Sequence, residues 1–174
     1  MIFSAFKRNR RGELVARLRP EEVELLRRLP DELQPVLDAP PEPDVAGEGD
    51  AIRQRLFPRA YLDPTEEQAE HDWQSAVHPE LVRTKLEALS LLTTTLDRAT
   101  TTRGRVEVVL SPEESEAWLG VLNDARLALG VALGVTEDLD YGKIRPDDPA
   151  AAGYSVYGWL TSLQGQLVDA LAGG

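Results

Sequence analysis

The residues of this chain that most resemble metal ligands are its two histidines. His71 and His78 are seven positions apart, which would align them on one side of a helix, with Glu67 and Glu70 close by. However, Pro79 predicts a helix boundary at His78, and no third ligand follows at a metal-binding spacing. Capping and surface roles fit these residues better, so we expect no metal to be required.

A second candidate for chemistry is an acidic cluster in front of an apolar run. Glu113, Glu114 and Glu116 follow a Ser-Pro pair, which is a typical helix start, and the helix dipole favours acids there. Nothing nearby in the sequence would separate their pKa values as general acid and base catalysis requires. The sequence also lacks a glycine-rich phosphate loop. It therefore predicts no catalytic residues, no cofactor and a non-enzymatic protein.

The most informative run begins at Trp118 and reads as a helix that is apolar on nearly all sides, yet it contains Asn123, Asp124 and Arg126. At 100° per residue, Arg126 lies within a stripe of four leucines, namely Leu119, Leu122, Leu129 and Leu133. An unpaired buried charge is very costly, so we expect a carboxylate or backbone carbonyls to pair with this arginine. We assign these polar residues, Trp118 and Trp159 a structural role first and a partner-binding role second.

Composition bounds the class of protein. The 174 residues are 42% hydrophobic, without an apolar run long enough to cross a membrane and without a secretory signal at the start. The chain contains no cysteine, which removes disulfides, thiol redox switches and cysteine-based zinc sites. We expect a single cytoplasmic domain over residues 1–174.

Charge is unevenly distributed along the chain. The net charge is −11, but residues 1–28 hold eight basic and four acidic side chains. An acidic protein is repelled by the phosphate backbone at long range, which argues against broad nucleic-acid binding. Any DNA contact would come from Lys7, Arg8, Arg10 and Arg11 in a basic hairpin, and it would be weak and salt-dependent.

Hydrophobic periodicity and turn residues predict helices and short strands in alternation. The expected strands are residues 2–7, 13–18 and 105–110. The expected helices are residues 20–29 with a break or kink at Pro30, then 51–62, 63–76, 78–96, 112–133 and 154–171. The segments without regular structure are an acidic, flexible linker at 38–50, a turn at 100–104 and a polar loop at 136–152.

An internal repeat suggests how the strands combine. The pattern Leu-x-Pro-Glu-Glu-x-Glu occurs at residues 18–24 and again at 110–116, each time after alternating apolar residues. Each copy feeds a strand into a helix, so we expect both strands in one sheet with both helices on its apolar face. The predicted fold class is α+β and mainly helical, with five or six helices around a small antiparallel sheet of about three strands.

Apolar surface also suggests self-association. Gly130 and Gly134 share a helix face with Asn123, and glycine there allows a second helix to approach closely. Packing within the chain is the favoured interpretation of this groove. Even so, the apolar central helix and the last helix with Trp159 offer more apolar surface than a domain this size buries alone. We therefore expect a homodimer formed by helix faces of the C-terminal half.

The run from Trp118 to Gly130 resembles the signature of an actinobacterial family catalogued as a domain of unknown function. Phe6, the Leu56-Phe57-Pro58 run with Tyr61, and residues 157–160 are similar to it as well. Some members of that family are described as AosR-type oxidative-stress transcriptional regulators, and their genes often lie beside that of the ClpS adaptor. The likeness spans nearly the whole chain apart from the linker and the polar loop.

The resemblance implies a transcription-linked stress regulator that acts through protein–protein contacts, with an adaptor or accessory protein of Clp proteolysis as the alternative. Without cysteine, this chain cannot sense oxidants by forming a disulfide. Its acidic charge favours a protein partner, either a sigma factor or RNA polymerase, or Clp components in the alternative. Recovery of one set or the other from a lysate would separate the two hypotheses.

Overall fold

A computed structural model describes residues 5–39, 48–137, 144–145 and 147–173. Along this part of the chain the elements are the strands β1 (Phe6–Arg8), β2 (Leu14–Leu18), β3 (Thr100–Thr102) and β4 (Arg105–Leu110) and the helices α1 (Pro20–Asp38), α2 (Glu48–Leu56), α3 (Glu67–Asp97), α4 (Pro112–Ala132) and α5 (Ala151–Ala172). A 3-10 turn, Pro64–Glu66, leads into α3. The fold is α+β and mainly helical, as predicted. Most of the expected linker at 38–50, much of the polar loop at 136–152 and the first residues of the predicted strand 2–7 lie outside the described residues.

The four strands form one antiparallel sheet in the order β1-β2-β4-β3. The two copies of the sequence repeat meet at its centre, because Leu14 pairs with Leu110 and Leu18 pairs with Val106. The prediction of a shared sheet is therefore confirmed. The side chains that point to the inner face are largely buried, and the fully covered ones are Phe6, Leu14, Ala16, Leu18, Val108 and Leu110.

The expected count of about three strands misses β3, which lies where a turn was predicted at 100–104. Thr100–Thr102 pairs with Arg105–Glu107, and only Arg103 and Gly104 form the turn. Both have positive φ, 51° and 75°, which is the geometry of the tight two-residue turn that suits twisted antiparallel strands. The Arg-Gly pair is not among the strongest signals for this turn, and a run of three threonines shows no polar–apolar alternation.

The predicted break at Pro30 is wrong, since α1 continues through Pro30 and Pro35 to Asp38. Proline removes one backbone hydrogen bond from a helix and crowds the preceding turn. Here the buried Leu26, Leu29 and Leu33 follow one another at helical spacing on both sides of Pro30. Their burial favours one continuous helix despite the lost hydrogen bond.

The predicted helix boundary at His78 and Pro79 is also wrong. A single helix, α3, runs through Pro79, whereas two helices at 63–76 and 78–96 were expected. The residue before the proline makes a tertiary contact, because the His78 ring packs on buried Phe57 with 4.5 Å between centroids. This contact holds the helix in place up to Pro79. α2 also differs from the predicted helix 51–62 at both ends, since it begins at Glu48, within the expected linker, and stops at Leu56.

The helix α4 has the central position that the sequence predicts. It contacts the other four helices and β4, and its N-terminus carries a capping box in which Ser111 and Glu114 satisfy each other's backbone N–H groups. Leu122 is fully buried, whereas Leu119, Leu129 and Leu133 are half-buried. The stripe thus faces the core most completely at the middle of the helix.

Candidate interaction surface

The polar residues of α4 lie between helices and point to its neighbours. Asp124 is 6% exposed, and both of its carboxylate oxygens accept hydrogen bonds from the Lys85 ammonium of α3, at 2.8 and 2.9 Å. The same ammonium lies 5.6 Å from the centre of the Phe57 ring. Burial raises the pKa of Asp124, and the hydrogen bond and charge of Lys85 oppose that rise. This ion pair therefore joins α4 to α3.

The expected partner of Arg126 needs correction. Its Nε donates to the side-chain oxygen of Gln164 on α5 at 2.9 Å, and one Nη donates to Asn123 at 3.4 Å. Asn123 also accepts from the amide nitrogen of Gln164 at 3.3 Å. These acceptors are neutral side-chain amides, whereas a carboxylate or backbone carbonyls were predicted. Because Arg126 is only half-buried, water still solvates part of its charge, so a neutral acceptor suffices.

The two candidate tryptophans also make contacts within the chain. Trp118 is fully buried, its Nε1 donates to Thr95 Oγ1 at 2.8 Å, and its ring meets Phe6 edge-to-face with 6.3 Å between centroids. Trp159 is half-buried, and its Nε1 donates to Glu22 of α1 at 3.1 Å. Together with the α4 polar residues, they join α4 and α5 to the rest of the molecule.

The basic hairpin is exposed at Lys7, Arg8, Arg10 and Arg11. Lys7 pairs with Val15 and points away from the core, and Arg8 donates to the backbone oxygen of Gly12 at 2.9 Å across the turn. These residues have the accessibility that a nucleic-acid or protein contact needs. Among the described residues, no hydrogen bond or ion pair joins these four side chains to Asn123, Asp124 or Arg126.

We use the name outer face for the side of the sheet opposite the core. The register places on it the side chains of Lys7, Val15, Arg17, Thr100, Thr102, Arg105, Glu107 and Val109. Most are exposed, including Val109 at 43%, while Val15 and Glu107 are half-buried. In the part of the chain that the structure describes, no helix covers this face.

The outer face belongs to a strongly basic part of an acidic molecule. Residues 5–19 and 98–110, which form the sheet, its turns and the adjoining helix ends, contain nine basic and two acidic side chains. Their net charge is +7, while the net charge of the whole chain is −11. The basic N-terminal hairpin was found in the sequence, but Arg98, Arg103 and Arg105 were missed. The internal repeat indicated it in part, because a shared sheet also brings Arg105 of the second strand to this side.

Two glutamates hold arginines at the edges of this basic region, at matching positions of the two repeats. Glu114 accepts both Nη groups of Arg98, at 2.6 and 2.5 Å, and this hydrogen bonding lowers its pKa. At Glu22, burial raises the pKa, but hydrogen bonds from Arg19 and Trp159 outweigh it and give a net lowering. Both carboxylates are thus kept ionised for ion pairing, which does not suit a general acid.

The histidines do not come together with acids as metal ligands. Among the described residues there is no group of three or more histidine, aspartate or glutamate side chains that could hold a metal ion. Burial lowers the pKa of His78 beside Phe57, and His71 is exposed. Glu70 instead accepts the backbone N–H groups of Ala60 and Tyr61, at 3.0 and 2.8 Å.

Comparison with protein families decides the affiliation. The family model DUF2017, a domain of unknown function, matches residues 3–171. The chain belongs to the DUF2017 family. This DUF2017 chain is 34% identical over 136 residues to the oxidative stress regulator AosR of Mycobacterium tuberculosis (strain ATCC 25618 / H37Rv), with 72% of the chain and 60% of the relative covered. It is also 34% identical over 133 residues to a putative oxidative stress regulator AosR of Mycobacterium leprae (strain TN), with 70% and 58% covered.

The DUF2017 chain therefore spans about 60% of the length of the curated relatives it matches. No solved structure matches it. None of the described helices is both long and apolar enough to cross a membrane.

Proposed function

We propose that this chain is a non-enzymatic regulator, linked to transcription under stress, that acts by binding another protein through the outer face of its sheet. The observation that carries the proposal is a net charge of +7 on the residues that form the sheet, its turns and the adjoining helix ends, beside an outer face that no described helix covers, in a chain of net charge −11. Relatives at 34% identity bear the name oxidative stress regulator. A regulatory contact needs an accessible surface with its own chemistry, and the outer face provides one.

Several features favour a protein partner over DNA. Val15 and exposed Val109 lie opposite each other at the centre of the outer face, which suits an apolar contact surrounded by charges. The remainder of the chain carries a net charge of −18, which repels phosphate backbones at low salt. The partner we propose therefore has an acidic surface with an apolar centre, on a sigma factor or another part of RNA polymerase.

Binding to purified RNA polymerase and its sigma factors from the source organism tests the proposal. We expect saturable binding in surface plasmon resonance, with the affinity falling roughly a hundredfold in the double variant Lys7→Glu/Arg105→Glu. The matched control is Arg28→Glu/Arg55→Glu, which makes the same change in net charge at exposed positions of α1 and α2, and it should keep most of the affinity.

Other outcomes would contradict the proposal. Absence of binding to every polymerase component would do so, as would equal losses in the two double variants. If Clp components bound instead, the adaptor hypothesis would replace the proposal, although the names of the relatives give that hypothesis no support. Tight binding of DNA at physiological salt, abolished by Lys7→Glu/Arg105→Glu, would make the outer face a nucleic-acid surface.

A further inference from the structure

A groove lies beside α5, at the end of the sheet where β2 leads into α1 and the outer face ends. Four cations line it, Lys7, Arg17, Arg19 and Arg105, together with Glu22 and the half-buried ring of Trp159. The remaining lining residues are small, apolar or neutral polar. Three strands and one helix start therefore bring positive charges from sequence positions about 100 residues apart to one concave site.

The register of the sheet arranges three of these cations in a row. Lys7 lies opposite Val15, which makes it a diagonal neighbour of Arg17 across β1 and β2. Arg17 lies opposite Glu107, which makes it a diagonal neighbour of Arg105 across β2 and β4. Diagonal neighbours on one face of an antiparallel pair are about 7–8 Å apart. The row thus extends over roughly 15 Å, two such steps.

The four cations of the groove are only partly neutralised. Arg17 is held by Glu107 at 2.6 Å, and Arg19 is held by Glu21 and Glu22 at 3.1 and 3.2 Å. Within the described part of the chain, Lys7 and Arg105 form no ion pair with any carboxylate. The two ends of the row therefore carry uncompensated positive charge, and the middle is an arginine that a glutamate already orients.

We propose that this groove binds a small, soluble ligand that carries two or more phosphate groups. The guanidinium group of arginine and the ammonium group of lysine bind phosphate oxygens by charge-assisted hydrogen bonds. The row spans roughly 15 Å at the backbone, and the long side chains at its two ends shorten the distance that a ligand must bridge. Two or more linked phosphates offer more oxygens to these side chains than a single phosphate does. The Trp159 ring provides an apolar wall for the organic part of the ligand.

A ligand in this groove would regulate partner binding, a consequence that rests on the proposed function. Lys7, Arg17 and Arg105 belong both to the groove and to the outer face, so the ligand would neutralise and cover part of the surface offered to an acidic protein. The chain contains no cysteine, so thiol oxidation cannot provide the input signal. Competition by a phosphorylated ligand would provide a signal that needs no cysteine in this chain.

Isothermal titration calorimetry with the pure full chain tests the ligand site independently of any partner. Pyrophosphate, ATP and inorganic phosphate are the probes, at physiological salt. We expect one saturable site for pyrophosphate and ATP, with inorganic phosphate at least about tenfold weaker. Lys7→Ala/Arg105→Ala should weaken pyrophosphate binding by roughly tenfold or more. Arg28→Ala/Arg55→Ala, which removes the same charge elsewhere, should leave the affinity nearly unchanged.

The outcomes separate the two proposals. No saturable heat with pyrophosphate or ATP would overturn the ligand site, and so would equal affinity for inorganic phosphate or equal weakening in the two double variants. None of these results bears on partner binding. Conversely, a chain that binds pyrophosphate but no polymerase component contradicts only the proposed function. If a polymerase component binds equally well with saturating pyrophosphate present, competition between ligand and partner is ruled out.

Discussion

Asp124 shows how one buried residue can depend on a single partner. Its side chain is almost inaccessible, and Lys85 supplies hydrogen bonds to both of its oxygens. A buried carboxylate without a counter-ion would be strongly destabilising in its charged form. The stability of the α3–α4 contact is therefore expected to depend on the ionisation of Asp124.

Replacing Lys85 tests this dependence. At neutral pH, Lys85→Met should lower the free energy of unfolding by about 3–5 kcal/mol, because it leaves the Asp124 charge buried and unpaired. Burial raises the pKa of Asp124 above the unfolded value of 3.8. Because this pKa is higher in the folded state, protonation of Asp124 favours folding. The contribution is complete at pH values below the unfolded pKa and is lost as pH rises through the folded pKa. The deficit of Lys85→Met relative to the wild type should therefore shrink in acid, where Asp124 is protonated.

The matched control is the double variant Lys85→Met/Asp124→Asn, which carries no charge at either position. Urea unfolding at a series of pH values should show a smaller cost and little of the pH dependence of Lys85→Met. A cost of Lys85→Met that is independent of pH would show that lost packing, and not the buried charge, causes it.

Arg126 tests whether a side-chain network joins the last two helices. Arg126→Ala should lower the free energy of unfolding by about 1–3 kcal/mol, because Gln164 and Asn123 lose a charged donor in a half-buried site. Exposed Arg10→Ala should change it very little. If Arg126→Ala instead reduced partner affinity without changing the melting temperature, Arg126 would be an interface residue and its structural assignment wrong.

Sequence reasoning placed Arg126 correctly in an apolar stripe but named the wrong kind of partner. A 100° periodicity fixes the face of a helix on which a residue lies. It does not identify which residue of another helix lies opposite, and Gln164 is 38 positions away in the sequence. The hydrogen-bond partners of Asp124 and Trp118 were unpredictable for the same reason, because Lys85 and Thr95 lie on another helix, α3.

At the level of elements, helix starts were easier to predict than helix interruptions. The Ser111 cap and the beginnings of α1 and α4 follow from local chemistry that the sequence displays. Pro30 and Pro79 were interpreted as breaks because proline opposes helices locally. Whether a helix continues through proline depends on burial on both sides, which is a tertiary property.

A glycine within α4 and the glycine that follows its C-terminal cap should respond in opposite directions to the same substitution. Gly120 is exposed within the helix with open space around it, so Gly120→Ala should raise the free energy of unfolding by about 0.5–1 kcal/mol. Gly134 ends the helix with a φ of 62°, where an added side chain is strained, so Gly134→Ala should lower it by about 1–2 kcal/mol. Thermal unfolding of the two variants makes the comparison, and a shift of the same sign in both would contradict it.

The whole molecule has a charge distribution that only the fold makes visible. The sequence showed one basic stretch at its start, and the repeat correctly predicted that the two strand–helix units share a sheet. The strand order and register were needed to show that basic residues of the second strand–helix unit lie beside those of the first. The outer face was therefore predictable in outline, and the row from Lys7 to Arg105 was not.

Self-association through helices of the C-terminal half remains a prediction. The groove at Gly130 is filled within the chain, since a Cβ there would lie 3.1 Å from the Tyr157 ring. Leu127, Leu129 and Leu133 are nevertheless only half-buried, which leaves apolar surface near the end of α4. We expect a twofold homodimer by light scattering at micromolar concentration, weakened by Leu129→Asp. A monomer under these conditions would refute it.

The pairing of β2 with β4 also affects how the chain folds as the ribosome makes it. Leu18 and Val106 are neighbours in the sheet, although 88 positions separate them in the chain. At about 5–20 residues per second, the first hairpin emerges roughly 4–18 s before the strand that completes the sheet. During that interval the edge of β2 and its apolar side chains are exposed to other nascent chains. Aggregation during synthesis is therefore a risk that this topology carries, and chaperone depletion should reduce the yield of soluble protein.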